Sequence, residues 1–140
     1  MQNLKKILID ADAFVALVIP SDSNHEKGKL YRDKISLKGI RLIVSDPAFG
    51  EAVTVISQKD SLKTATNFAE EILGSEIEIV EVDSKLRRQA LDIFKKQTSK
   101  NSRFTDCVNM AIMKNDDIDT IFSFDVQYKK NKFKRFGIDK

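Results

Sequence analysis

Apolar residues come in two rhythms along this chain, short unbroken runs and longer stretches with helical spacing, and the two alternate. Leu4 to Ile9 form the first run, which reads as a buried strand. A helix follows with Phe14, Leu17 and Val18 on one side, and Pro20 ends it. Ser23 and Glu26 have capping-box spacing, so a second helix is predicted from there toward Leu37. Gly39 breaks the chain ahead of RLIVS, a second buried strand. Asp46 and Pro47 read as the cap and first turn of a third helix through Val55 and Ile56. A fourth helix spans about Leu62 to Leu73 and stops at Gly74. EIEIVEV alternates apolar and acidic residues, as a strand with one solvated side does. Asp83 is placed to cap the next helix, whose buried stripe is Leu86, Ala90, Ile93 and Phe94. Beyond the polar loop QTSKNS come a helix in FTDCVNMAIMKN, a strand in DTIFSF, a short helix from Asp125 and an edge strand in FKRFGI. Strands separated by helices imply an α/β fold with a mostly parallel sheet covered on both faces. Such sheets bind ligands beyond the carboxyl ends of their strands.

The chain's 140 residues fit one domain, residues 1–140, with no repeat, low-complexity tract or linker to divide it. A lone cysteine, Cys107, excludes an internal disulfide and agrees with a reducing cytosol, so a cytoplasmic protein is expected. After Lys5 and Lys6 only Ile7, Leu8 and Ile9 precede Asp10, far short of a signal-peptide core. No apolar stretch is long enough to cross a membrane. The net charge of +3 leans weakly toward polyanionic partners, and KKNKFKRF near the C-terminus concentrates it.

Four acids stand out because each ends an apolar run or sits within an apolar helical face. Asp10 closes the first strand and Asp125 the strand at Phe122 to Phe124. If those strands are neighbours, both carboxylates enter one crevice; taken singly, each is explained as a helix N-cap. Glu51 has Ala48 and Val55 at helical spacing, which puts it on or near a buried stripe, where Glu is almost never found unpaired. Exposure at the edge of that stripe is the alternative. Asp106 begins a helix and shares its face with Asn109 and Met110, and a first-turn acid also suits the helix dipole. Together the four read as one site. Crowded carboxylates hold protons at neutral pH unless a cation stabilises them, so the set suits Mg²⁺ or Mn²⁺ and metal-assisted phosphodiester hydrolysis.

The stretches ILIDADAFVAL, SDPAFGEAVTVIS, RFTDCVNMA and IFSFDVQY, in that order and spacing, resemble the PIN-domain ribonucleases, especially the small VapC-type toxins. The resemblance implies a PIN-like three-layer α/β/α fold and an acidic pocket of Asp10, Glu51, Asp106 and Asp125 that binds metal and carries catalysis. Asp10 and Asp106 are the strongest candidate ligands. Ser123 matches the small hydroxyl residue two positions before the last acid, which orients it. The resemblance further implies an RNA substrate, a homodimer and a small antitoxin partner in a type II toxin–antitoxin pair. Asp12 departs from the pattern, standing where the family carries Ser, Thr or Asn; it reads first as an exposed first-turn residue and otherwise as an outer ligand of the metal.

Lys95, Lys96, Lys100 and Arg103 before Asp106, with Lys129 and Lys130 after Asp125, are candidate phosphate contacts on either side of the pocket. His25 is the one histidine, which nearly excludes a His-based triad or zinc cluster, and it reads as a surface residue. Phe133 and Phe136 are either base-stacking groups or anchors of the terminal strand. Two other functions compete. A haloacid-dehalogenase-type phosphatase would use Asp10 and Asp12 as its DxD pair, but no later Lys or GDxxxD counterpart is seen and Glu51 has no role. A non-catalytic PIN-like interaction module would leave the intact acid set unexplained.

Overall fold

The unbroken apolar runs require cover on both sides, and the architecture supplies it. The computed structural model describes residues 5–140, so Leu4 of the expected first strand lies outside the described residues. Among the described residues five strands form one sheet: β1 (Lys6–Ile9), β2 (Arg41–Ser45), β3 (Glu78–Val80), β4 (Thr120–Phe122) and β5 (Lys134–Arg135). Their order is β3-β2-β1-β4-β5 and every pairing is parallel. The helices between them are α1 (Ala11–Val18), α2 (His25–Leu37), α3 (Asp46–Lys59), α4 (Leu62–Leu73), α5 (Ser84–Lys95), α6 (Phe104–Asn115) and α7 (Val126–Lys130).

Successive strand residues point to opposite faces, and the core divides accordingly. Ile7 and Ile9 of β1 pack with Phe14, Ile35, Ala52, Ile56 and Phe68 from α1 to α4. Leu8, between them, packs on the other side with Ala90 of α5, Val108 and Met110 of α6 and Tyr128 of α7. The result is a three-layer α/β/α fold. Because β2 lies beside β1 on one side and β4 on the other, the chain reverses its direction of growth at β1. That reversal opens a crevice beyond the carboxyl ends of β1 and β4.

Several element ends differ from expectation. The N-cap of α2 is Asn24 rather than Ser23, since Asp22 makes the local turn by accepting from the Asn24 N–H at 2.8 Å. The cap of α3 is Ser45, whose Oγ accepts from the Ala48 N–H at 3.3 Å, so Asp46 is already helical. In α5, Leu86 and Ala90 are buried but Phe94 is 40% exposed beside Phe104. His25 is half-buried, its Nδ1 2.6 Å from the Ala16 carbonyl, and ties α2 to α1. Asp83 caps α5 as expected, with its Oδ1 2.8 Å from the Leu86 N–H. Phe133 and Phe136 pack against the two cores and anchor β5. Among the described residues no helix is long and apolar enough to cross a membrane.

Gly137 closes the turn after β5 with φ 79°, and a Cβ there would come within 2.5 Å of the Tyr31 ring. Gly39 has φ 65° but open space around it. Gly137→Ala is therefore expected to destabilise the fold by roughly 2–3 kcal/mol and Gly39→Ala by about 1 kcal/mol, read from urea unfolding midpoints. Equal losses would mean that the Tyr31 ring moves aside at little cost.

Candidate active site

Three of the four acids of the crevice accept from backbone N–H groups at helix starts. Asp10 follows β1 and caps α1: its Oδ1 accepts from the Ala11 N–H at 2.7 Å, and its own N–H donates to the Phe122 carbonyl at 3.1 Å. Asp125 follows β4 and caps α7, accepting from the Gln127 N–H at 2.9 Å. Asp106 lies in the first turn of α6, where its Oδ2 accepts from the Arg103 N–H at 3.3 Å. Capping and site membership thus coexist, since a cap uses one carboxylate oxygen and leaves the other. Glu51 projects from α3 with 31% of its side chain exposed and accepts from the Arg103 guanidinium at 2.7 Å. All four acids, with Asp12, line one cavity of about 280 Å³, to which Asp22, Lys59 and Arg103 also contribute.

Burial sets the electrostatics. It raises the Asp10 carboxyl above its usual range, and Asp125 nearby adds to the effect. Asp106 is pushed up to about 6, first by burial and then by the Asp10 charge. Asp12 is pushed up to about 7 by the same two causes. The cations offset little of this. Arg103, its side chain 67% exposed, is screened by water where it meets Glu51.

Asp12 corrects the expectation of an exposed residue. Its Oδ2 accepts from the Ser123 hydroxyl at 3.1 Å and the Phe124 N–H at 2.8 Å, while its Oδ1 is buried without a partner. Ser123 Oγ accepts from the Asp125 backbone N–H at 3.1 Å and its hydroxyl donates to Asp12, so it meets Asp125 through the main chain and not the carboxylate. Of the six basic candidates only Arg103 lines the cavity. Lys95, Lys96, Lys100, Lys129 and Lys130 are exposed outside it, and Lys129 faces Asp139 at 3.9 Å. Within the basic tail, Arg135 is held by Asp139 and its guanidinium donates to the Phe124 carbonyl, just before Asp125, at 3.1 Å.

The sequence reading missed Tyr128. Its buried hydroxyl lies 2.5 Å from Asp10 Oδ2 and 3.3 Å from Asp106 Oδ1, and receives the Asn109 amide at 2.9 Å. The available signal was spacing: Tyr128 and Asn109 stand three residues after Asp125 and Asp106, on the same helical faces. Lys59, two turns after Glu51 on α3, was missed as well.

The family model of the PIN domain matches residues 7–134. The chain belongs to the PIN-domain family. The PIN fold seen here is similar to the crystal structure of Mycobacterium tuberculosis VapC20, a toxin that cleaves the sarcin-ricin loop. The TM-score is 0.80 at 20% identity, over 91% of this chain and 95% of that one. No curated protein sequence matches significantly.

The donor set fits a hard divalent cation in kind, being all carboxylate, with one buried oxygen of Asp12 lacking a partner. As placed, no three His, Cys, Asp or Glu side chains among the described residues stand close enough together to hold an ion. Glu51 is turned to Arg103 and one oxygen of Asp10 to Tyr128.

Asp12 and Asp106 bind protons more tightly folded than unfolded. Their contribution to stability is complete below the ordinary value of 3.8 and is lost as pH rises toward 6 and 7. The metal-free protein should accordingly lose stability between about pH 4 and pH 7 from this source. Asp106→Asn should flatten that slope and raise metal-free stability near neutrality by up to about 3 kcal/mol. Urea midpoints across the pH range check this, and an unchanged slope in the variant would refute it.

Proposed function

We propose that this chain is a metal-dependent endoribonuclease and the toxin of a type II toxin–antitoxin pair. The observation that carries the reading is the convergence of Asp10, Glu51, Asp106 and Asp125 on one cavity at the carboxyl edge of a PIN-fold sheet. Asp10 and Asp106 would hold a Mg²⁺ or Mn²⁺ ion, with Glu51 and Asp125 completing the acidic wall. When bound, the ion neutralises charge developing on a phosphodiester and acidifies water.

The residues of the chain do the rest. Backbone N–H groups at the starts of α1, α6 and α7 hold three of the acids in fixed directions, so little reorganisation is left for the reaction. Arg103 and Lys59, on the cavity wall, are placed to meet phosphates flanking the cut. Arg103 meets Glu51 through one oxygen only, and a phosphate drawing Arg103 away would free the whole carboxylate for an ion. Lys95, Lys96, Lys100, Lys129 and Lys130 would extend the contact along RNA outside the cavity. A homodimer and a small antitoxin that covers the cavity belong to the same reading, which the similarity to a toxin structure supports.

The phosphatase alternative needs Asp12 as a general acid open to substrate, and Asp12 instead has Oδ2 tied to Ser123 and Phe124 and Oδ1 enclosed. A purely structural role is disfavoured for Asp10 and Asp106, whose burial raises their carboxyls despite the hydrogen bonds they accept.

The test is cleavage of a mixed cellular RNA pool by the purified protein with Mg²⁺, Mn²⁺ or chelator. Discrete, metal-dependent cuts are expected, and Asp10→Asn or Asp106→Asn should reduce them about 100-fold or more. Identical patterns from wild type and variants would reject the site. Metal-dependent hydrolysis of a phosphomonoester without RNA cleavage would reject the nuclease in favour of the phosphatase.

A further inference from the structure

Beneath the acids runs a buried line of polar groups that nothing in the proposed chemistry requires directly. The Ser45 hydroxyl at the end of β2 donates to Asn109 Oδ1 of α6 at 2.6 Å. The Asn109 amide donates to the Tyr128 hydroxyl oxygen of α7 at 2.9 Å, and that hydroxyl donates to Asp10 Oδ2 at 2.5 Å. Ser45, Asn109 and Tyr128 are each 0% exposed. Four elements of the fold thus meet through three side chains.

The line has one consistent direction. At its far end the Ala48 N–H donates to Ser45 Oγ, which leaves the serine hydrogen for Asn109. Asn109 then presents its NH₂ to Tyr128, and the tyrosine hydrogen is left for the carboxylate. Burying three polar groups in an apolar layer is unfavourable unless all are paired, and apolar side chains would fill the same space without needing partners. What these residues add is an aimed donor at Asp10.

We propose that Tyr128 is a positioning residue for the cation site, and that Ser45 and Asn109 aim its hydroxyl. With Oδ1 held by the Ala11 N–H and Oδ2 by Tyr128, the Asp10 carboxylate is fixed in orientation where it lines the cavity. The same hydroxyl lies 3.3 Å from Asp106 Oδ1, with its single hydrogen committed to Asp10. The inference rests on the reading of Asp10 and Asp106 as metal ligands.

The experiment is calorimetric titration of the intact protein with Mn²⁺ in the absence of RNA, with thermal melts run alongside. Tyr128→Phe should weaken Mn²⁺ binding about 10- to 100-fold. The Mn²⁺ concentration giving half-maximal RNA cleavage should rise by the same factor. Ser45→Ala should shift binding in the same direction by less. Because the groups act in series, the double variant should bind no more weakly than Tyr128→Phe alone. A lowered melting temperature with unchanged Mn²⁺ binding would overturn the proposal and leave Tyr128 as packing. Independent, additive shifts would overturn the relay. If Tyr128→Phe does not fold, Ser45→Ala decides alone, and wild-type Mn²⁺ binding in that variant overturns the proposal. Wild-type protein that binds no Mn²⁺ overturns the metal-site reading along with it, whereas a shift confined to the variants leaves that reading intact.

Discussion

Like charges confined to one half-dry crevice are the constraint from which the rest of this structure follows. Asp10, Asp12 and Asp106 each have their proton held above the ordinary carboxylate range, with burial as the largest cause. Surface ion pairs do not answer such repulsion, since an exposed arginine shares its field with water. Backbone donors do. The N–H groups of Ala11, Arg103, Phe124 and Gln127 each meet one acid of the cluster, and three of the four lie at helix starts. Helix N-termini are therefore this site's fixed positive charge.

The strand order makes that arrangement possible. A central β1 with β2 on one side and β4 on the other places Asp10 and the segment from Ser123 to Asp125 side by side, about 113 residues apart in sequence yet joined through the Asp10 N–H and the Phe122 carbonyl. α3 and α6, packed on opposite faces of the sheet, then bring Glu51 and Asp106 to the same edge. The two cores are apolar and fully paired, so the cost of the acidic cluster is borne by burial elsewhere in the domain.

The sequence makes part of this legible. Asp10 and Asp125 stand out because a carboxylate ending an apolar run is visible in one dimension, and their meeting follows from the parallel order implied by alternating strands and helices. Glu51 stands out because its helical neighbours are small and apolar. Asp12 was misjudged for a different reason: its partners Ser123 and the Phe124 N–H lie in the segment after β4, far along the chain, and no local spacing announces them. Tyr128 was read as part of a motif but given no task, since a tyrosine on an apolar face usually packs its ring. Long-range register, rather than composition, decided each of these cases.

Repulsion within the cluster has two possible outlets, rotation of the side chains away from one another or neutralisation from outside. The first is blocked. Asp10 is fixed at both oxygens, Asp12 is fixed at one with the other enclosed, and Asp106 is bound to the start of its own helix and lies near the Tyr128 hydroxyl. Protons are the remaining outlet below neutrality, and under the proposed function a divalent cation would be the outlet at neutrality. Whatever free energy the fold loses by holding the acids together is returned on neutralisation, so destabilisation of the metal-free protein and affinity for the cation are two expressions of one interaction. A more forgiving crevice, with carboxylates free to turn outward, would be more stable empty and a weaker ligand.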